Sequence, residues 1–520
     1  MSKVFLRASL VSTLMLICFM VFGCSTAETH AVVLPKEQRP NIVFILVDDL
    51  DLKLNTIDYM QNLQELMIDR GTTLDDFLIT DAVCCPSRTT ILRGQYTHSH
   101  QVYHNTAPDG GFYKFNEVGN NDSTLGVWLQ AAGYRTALMG KYLNGYPYPT
   151  DRTFVPPGWS EWLSTAKKNA YDGYDYVLNE NGTLVEYPPV VDNYFTDVMS
   201  RKAVDFIQRA SAEDVPFFLY LAPFAPHTPS TPAARHLELF PTITIPITPS
   251  FNEADVSDKP PGMSLNPLLT DEIILQLNVN YRDRVRSMQA VDEMIAELIK
   301  TLEQHGQLEN TYIVFTSDNG FHMGQHRLYE GKNTAYEEDI IVPFIVRGPG
   351  IPEDHVVPGF LAGNVDIAST ISDWAGVVPP TFVEGRSFAG VLAGGDVPAD
   401  WRQAYLLEIY STEGEAVWSE PDEPSTAATF KIFGSQLSLP KIGTQSIPVV
   451  LHGLRMNDYV YVEYGDGFVE LYDLIKDPYE LDNIAASADP SLLKRFSDWL
   501  QALSVCSRKE CLELDTGARK

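Results

Sequence analysis

The chain has 520 residues, enough for one large α/β domain with a smaller one beside it or for two to three ordinary domains. Hydrophobic residues make up 44%, an ordinary globular share that allows a large core. The 38 Lys+Arg against 68 Asp+Glu leave a net charge of -30, which argues against a nucleic-acid partner and admits an anionic substrate only where basic residues gather locally.

Lys3 and Arg7 precede an apolar run from Ala8 to Phe22 that is too short for a comfortable membrane span. This predicts an export signal over residues 1–24. The run closes on "VFGC", which resembles a bacterial lipoprotein box with Cys24 as the lipidated residue. A plain signal peptide cut near "STAETHA" is the alternative. The expectation is an exported protein, periplasmic or secreted, or tethered to the cell envelope through Cys24.

After a polar stretch, "NIVFILVDD" (41–49) reads as a buried parallel strand closing on two carboxylates. In "TIDYMQNLQELMIDRG", Ile57, Met60, Leu63, Leu66 and Met67 recur at helical spacing until Gly71. "VCCPSRTTILRG" (83–94) predicts a short helix with Pro86 in its first turn and Gly94 at its end. The alternation continues: helix "STLGVWLQAAG" and strand "YRTALMGK", helix "YFTDVMSRKAVDFIQRA" and strand "PFFLYLAP". A long helix over "YRDRVRSMQAVDEMIAELIKTLEQHG" leads into strand "TYIVFTSDNG"; "VPFIVRGPG" and "AYLLEI" add further apolar runs. Such repeated βα units imply an α/β fold whose sheet is covered on both faces. Residues 228–267 and 410–448 break the rhythm and read as long loops, either functional or disordered. Toward the C-terminus "YVYVEYGDG" and "FVELYDL" form a hairpin around Asp466-Gly467, and a helix follows at "PSLLKRFSDWLQAL". The expected division is residues 38–400 as the large α/β domain and 401–520 as a smaller α+β subdomain.

Three predicted strand ends carry chemistry: Asp48-Asp49, Asp318-Asn319 and Lys141. In open α/β sheets the site lies beyond the carboxyl ends of the strands. Either acidic pair alone reads equally as a turn or helix cap. Together they suit an all-oxygen site for Ca²⁺ or Mg²⁺. Of the six cysteines, Cys18 lies in the signal, and Cys506 and Cys511, five apart near the C-terminus, suit a small-loop disulfide. Cys84 and Cys85 stand at a helix start, where free N–H groups and the dipole attract anions and lower a thiol's pKa, with Arg88 one turn in. A buried structural thiol pair is the other reading. The histidines of "HSHQVYH" (His98, His100, His104) read as helix-end packing or substrate rim.

Cys84-Cys85-Pro86-Ser87-Arg88 resembles the Cys-x-Pro-Ser-Arg signature of type I sulfatases. The resemblance covers most of the chain. "RPNIVFILVDD", "LQAAGYRTALMGKY", "APFAPHTP", "SDNGFHMGQHRLYEGKNTAYEEDIIVPFIVRGPG" and "ELYDLIKDPYELDNIA" are similar to family blocks in family order. "VCCPSRTTILRG", "GKYLNGY" and "VPPGWSEW" look most like the N-acetylglucosamine-6-sulfatase and extracellular heparan-sulfatase branch. The resemblance implies an alkaline-phosphatase-like, mostly parallel sheet flanked by helices, with a smaller C-terminal α+β domain.

It also implies that a maturation enzyme converts Cys84 to formylglycine (3-oxoalanine), Cys85 filling the variable position. One hydroxyl of the hydrated aldehyde would attack sulfur to give a sulfated enzyme, and the second would expel sulfate. Asp48, Asp49, Asp318 and Asn319 match the ligands of one Ca²⁺, with modified Cys84 completing the shell. Arg88 matches the residue that orients formylglycine. Lys141, His227 and Lys332 match sulfate-binding groups, His227 and Lys332 being the candidates to protonate the leaving oxygen. Where many sulfatases read Gly-Lys-Trp-His, this chain has Gly140-Lys141-Tyr142-Leu143, so the usual base for the diol is absent. His322, just after Asp318-Asn319, is the expected replacement, a structural histidine in the loop being the other reading. The implied activity is hydrolysis of sulfate esters of a sulfated sugar or glycan, N-acetylglucosamine 6-sulfate being the branch's suggestion. A formylglycine-dependent phosphonate monoester or phosphodiester hydrolase and an inactive glycan-binding pseudo-sulfatase are the alternatives.

Overall fold

The computed structural model describes residues 39–167, 170–213, 215–410, 429–432, 435–438 and 450–517. The expectations for the export signal, for Cys18 and Cys24, and for most of the 410–448 loop therefore lie outside the described residues. No helix among the described residues is long and apolar enough to cross a membrane.

The apolar run at 41–47 is β1 (Asn41–Val47), buried along its whole length. It lies at the centre of an 11-stranded sheet. The other strands are β2 (Thr72–Leu78), β3 (Arg135–Gly140), β4 (Glu161–Lys167), β5 (Tyr176–Glu180), β6 (Thr183–Tyr187), β7 (Phe217–Ala222), β8 (Thr311–Ser317), β9 (Ile341–Arg347), β10 (His355–Val357) and β11 (Ala362–Gly363). The order is β10-β2-β9-β8-β1-β7-β3-β4-β5-β6, with β11 also on β2. The central run β8-β1-β7-β3-β4 is parallel, whereas β9 runs antiparallel to β8 and β2, and β5 and β6 form an antiparallel edge.

The helices cover both faces. They include α1 (Cys84–Arg93), α2 (Leu125–Ala131), α3 (Phe195–Ala212), α4 (Asp271–Gln304) and α5 (Ile367–Trp374). Phe44, Phe218 and Tyr220 pack into one face cluster, and Val43, Ile45 and Leu219 into the other. Successive strand residues thus alternate between two cores, which is why the central strands carry no polar alternation. Helix α4 begins ten residues before the stretch expected from its stripe, because Thr270 caps it by accepting from Ile273 N and Leu277 and Tyr281 extend the buried face.

A second sheet, antiparallel, is built from β12 (Tyr405–Tyr410) and, after a short pair β13 (Thr429–Ile432) and β14 (Ser435–Ser438), from β15 (Val450–Arg455), β16 (Tyr459–Tyr464) and β17 (Val469–Asp473), in the order β12-β15-β16-β17. "AYLLEI" thus belongs here and not with the parallel strands. Helix α6 (Pro490–Leu503) packs on this sheet through Phe496, Leu500 and Leu503. Cys506 and Cys511 form the expected disulfide.

Candidate active site

Four neighbouring parallel strands, β8-β1-β7-β3, end at the same edge of the sheet, and each delivers one polar group there. Asp318 follows β8, Asp48 follows β1, His227 lies five residues past β7, and Lys141 follows β3. Adjacent strands lie ~4.8 Å apart, so groups one residue past their ends are brought together by register alone. Asp48 N donates to Ala225 O at 3.2 Å and Asp318 N to Val47 O at 3.2 Å, extending the ladders into the site. Gly140 brings Lys141 close: it has φ 118°, and a Cβ there would stand 2.0 Å from Ala222 O.

Cys84 opens helix α1, whose first turn points into this edge. Its Sγ lies 3.7 Å from Asp48 Oδ1 and accepts from Lys332 Nζ at 2.7 Å. Lys332 Nζ also donates to Asp49 Oδ1 at 2.6 Å, and Lys141 Nζ contacts both oxygens of Asp48 at 3.0 and 2.8 Å. Arg88 donates from Nε to Asp318 Oδ2 at 2.7 Å and from a terminal nitrogen to Lys141 O at 3.1 Å. Ser87 Oγ donates to Asp318 O, so one turn of α1 grips the end of β8. His227 Nε2 stands 3.5 Å from Asp49 Oδ2, and its Nδ1 bonds Thr228 O at 2.6 Å. Asn319 Nδ2 donates to Asp49 Oδ1 at 2.8 Å. Asp49 itself has φ 65°, a left-handed conformation that Asp tolerates better than most residues and that recurs at functional sites.

The structure therefore brings Asp48, Asp49, Cys84, Arg88, Lys141, His227, Asp318, Asn319 and Lys332 into one cluster. All but Lys332 are buried, and its side chain is only 11% exposed. Burial works against ionising Asp48, but Lys141, His227, Arg88 and Lys332 outweigh it and hold the carboxyl well below its usual range. Asp49 is held low in the same way, chiefly by Lys332. Asp318 goes the other way: burial raises it to about 6 despite Arg88.

The expectation of a helix-lowered thiol is overturned. Burial pushes Cys84 well above a thiol's ordinary value, and Lys141 and Lys332 do not compensate. Cys85 faces elsewhere: its sulfur accepts from Asn144 N at 2.9 Å, and its backbone N–H is capped by Asn105 Oδ1 at 2.8 Å.

His322, three residues past Asn319 in sequence, is buried, with Nδ1 2.9 Å from Asp339 Oδ1. It exchanges two backbone hydrogen bonds with Gly331, at 2.7 and 3.0 Å, beside Lys332. Asp339 in turn accepts from Thr334 N and Oγ1, two residues past Lys332. His322 is thus built into the loop that carries Lys332. The "HSHQVYH" histidines are packing groups: His98 bonds Glu408 and Cys506 O, His100 bonds Thr90, and His104 Nδ1 accepts from Thr106 N.

Sequence reasoning missed Tyr171. Its ring lies 4.5 Å from that of His227 and 5.2 Å from Lys141 Nζ, touching both candidate sulfate-binding groups. It sits outside any strand or helix, so no periodicity marks it.

The family model for Sulfatase matches residues 40–377. N-acetylglucosamine-6-sulfatase of Homo sapiens is 33% identical over 501 residues, covering 95% of this chain and 88% of that one. The Capra hircus enzyme of the same name is 34% identical over 481 residues, 91% and 85%. The chain spans about half or less of the extracellular Sulf-1 homologues it matches, 53% of that from Caenorhabditis elegans and 33% of that from Drosophila melanogaster. Among solved structures, BT4656 in complex with its substrate D-glucosamine-2-N,6-O-disulfate superposes with a TM-score of 0.69 at 24% identity, over 93% of this chain and 100% of that one. The phosphonate monoester hydrolase of Agrobacterium radiobacter gives 0.67 at 21%, over 90% and 96%. At these identities the two structures speak to the fold alone.

Proposed function

The chain belongs to the sulfatase family and is a sulfuric ester hydrolase, and we propose that it removes a sulfate ester from a sulfated sugar, N-acetylglucosamine 6-sulfate being the foremost candidate. One observation carries the mechanism: Cys84 meets Lys332 and Asp48 at the point where four strand ends converge. The named relatives support the sugar.

The donor set suits one Ca²⁺. Asp48, Asp49, Asp318 and Asn319 offer hard oxygens, and the buried Asn319 Oδ1 has no hydrogen-bond partner. These residues would hold the ion, with the side chain at position 84 completing the shell. Bound there, the cation would polarise the sulfate, and formylglycine at position 84 would supply a hydroxyl nucleophile in its hydrated form.

The remaining steps belong to the chain's own groups. Arg88, fixed on Asp318, orients the residue one turn earlier. Lys141, Lys332 and His227 neutralise sulfate oxygens in a dry site, where such charges act strongly. His227 and Lys332 are the groups to protonate the departing sugar oxygen. His322 is proposed as the base that frees sulfate, with Asp339 orienting its ring.

In the same reading residues 38–400 carry the chemistry and 401–520 form a substrate-side subdomain, supported by the two separate sheets. Export, through a cleaved or lipidated N-terminus, is supported by relatives named extracellular. The test is twofold. Mass spectrometry of the peptide spanning Cys84, from protein matured by its own host, should show formylglycine; an unmodified thiol refutes the mechanism. Turnover of N-acetylglucosamine 6-sulfate should exceed that of an aryl phosphodiester; the reverse order points to the phosphonate monoester hydrolase chemistry.

A further inference from the structure

Strand β12 runs beside the segment that leads into Cys84. Glu408 N donates to Thr80 O at 2.7 Å, and Thr80 Oγ1 donates to Leu406 O at 2.7 Å. Asp81 is three residues from Cys84, so at most ~11 Å of chain separates them. Tyr410, at the end of β12, and His452, on the paired strand β15, therefore lie near the segment that leads into Cys84. Tyr103 reaches the same place from the other side, two residues before the Asn105 that caps Cys85.

These three rings form one half-buried surface. Tyr103 and Tyr410 have centroids 4.8 Å apart at 57°, and His452 meets Tyr410 edge-on at 5.3 Å and 83°. A polar chain runs beneath. His452 Nε2 is 3.1 Å from Tyr410 Oη, which donates to Glu408 Oε1 at 3.2 Å. Glu408, fully buried, also holds His98 Nδ1 at 2.7 Å. The rings are thereby fixed before any ligand arrives, so little ordering is needed on binding. Burial lowers the proton affinity of His452 despite Glu408, leaving a neutral imidazole at pH 7. The surface thus offers apolar faces, two phenol oxygens and an imidazole, with the His98–Glu408 pair behind it. Such a surface suits a ring with an apolar face and a hydroxyl rim.

We propose that Tyr103, Tyr410 and His452 form the wall that receives the pyranose ring bearing the sulfate ester, stacking on its C–H face and bonding its hydroxyls while the ester is held at Cys84. The proposal rests on the sugar-sulfatase reading and names the residues that recognise the sugar.

The test separates sugar recognition from sulfate recognition. In Tyr103→Ala, Tyr410→Ala and His452→Ala, KM for N-acetylglucosamine 6-sulfate should rise about tenfold, the size of one lost stacking contact with its hydrogen bond. The inhibition constant of inorganic sulfate should stay at the wild-type value. Tyr103→Phe and Tyr410→Phe, which keep the rings, should restore most of the affinity and control for folding. A wild-type KM in the alanine variants overturns the proposal, and so does a sulfate inhibition constant that rises in parallel. Saturation-transfer NMR of N-acetylglucosamine 6-sulfate on Cys84→Ala protein reads ring contact without turnover. Ring-proton transfer that vanishes in Tyr410→Ala supports the wall even if the wild type hydrolyses another ester; transfer that is absent, or unchanged by the substitutions, refutes it.

Discussion

At the residue scale, Lys332 has the largest predicted effect. It touches both Asp49 and Cys84 from a mobile-length side chain that is nearly buried. Lys332→Ala removes a charge from the sulfate's position and leaves Asp49 short of its main counter-charge. kcat should fall by about 10²–10⁴, with a smaller change in KM, measured on any accepted sulfate ester. Asn319→Ala tests the cation site by a different readout. Adding Ca²⁺ to chelator-treated wild type should raise Tm by a few degrees, since a ligand at about 100 times its Kd contributes about 2.7 kcal/mol. The Asn319→Ala protein should lose most of that gain; an equal rise in both would place the ion elsewhere. For His322, the proposed base role and its bracing of the Lys332 loop give different kinetics. His322→Ala should leave the first, ester-cleaving turnover as a burst and slow the steady rate that follows. Loss of the burst as well, with a raised KM, would mean that His322 acts only through the loop.

At the scale of elements, the site joins the ends of α1, β1, β3, β7 and β8 to a C-terminal sheet, and His98 is one of the ties. Its ring bonds Glu408 on β12 and Cys506 O beside the disulfide. Burial opposes its protonation, but Glu408 prevails and raises it to about 9. A raised folded-state pKa means the protonated form is preferred in the fold. Its contribution is complete below the unfolded value near 6.5 and is lost as pH climbs toward about 9. The wild type should lose of order 1–3 kcal/mol across that window. His98→Gln should be less stable at pH 6 and flatter in Tm from pH 6 to 9; parallel curves for the two proteins would refute the assignment.

This tie also shows what a sequence can carry. Strands β1, β3, β7 and β8 were legible because burial on both faces makes each an unbroken apolar run, and the polar residue at each end marks where the run stops. That was enough to place Asp48, Lys141 and Asp318 at one edge. Strand β4, the antiparallel edge strands β5 and β6 and the placement of β12 were not legible: the edge strands carry no long apolar run, and β12 pairs with β15 across about fifty residues. His98 was read as helix-end packing or substrate rim; its partner Glu408 is 310 residues away and nothing local announces it. Tyr171 and the Tyr103–Tyr410–His452 wall are contacts between loops and separate sheets, which no period encodes. The Cys84 thiol was misread for a related reason: the helix dipole is local and visible, whereas complete burial is a property of the assembled fold and outweighs it.

At the scale of the whole molecule, the net charge of -30 and an anionic substrate pull against each other. The cluster itself is not negative: Arg88, Lys141 and Lys332 balance Asp48, Asp49 and Asp318 before any cation is added, and Ca²⁺ would make it positive. That positive centre is buried, so its field reaches a distant ligand weakly, while the acidic excess is spread over the surface. A sulfated oligosaccharide should therefore meet repulsion at long range and attraction only on contact. Salt screens exposed charges over ~10 Å at 0.1 M but leaves buried pairs largely intact. Raising ionic strength from 10 to 150 mM should then increase kcat/KM for a polysulfated oligosaccharide by about two- to fivefold through faster association. A monosulfated monosaccharide, with one charge, should change much less, and kcat should not move for either. A kcat/KM that falls with salt would mean that the local positive field extends past the mouth and steers the substrate in.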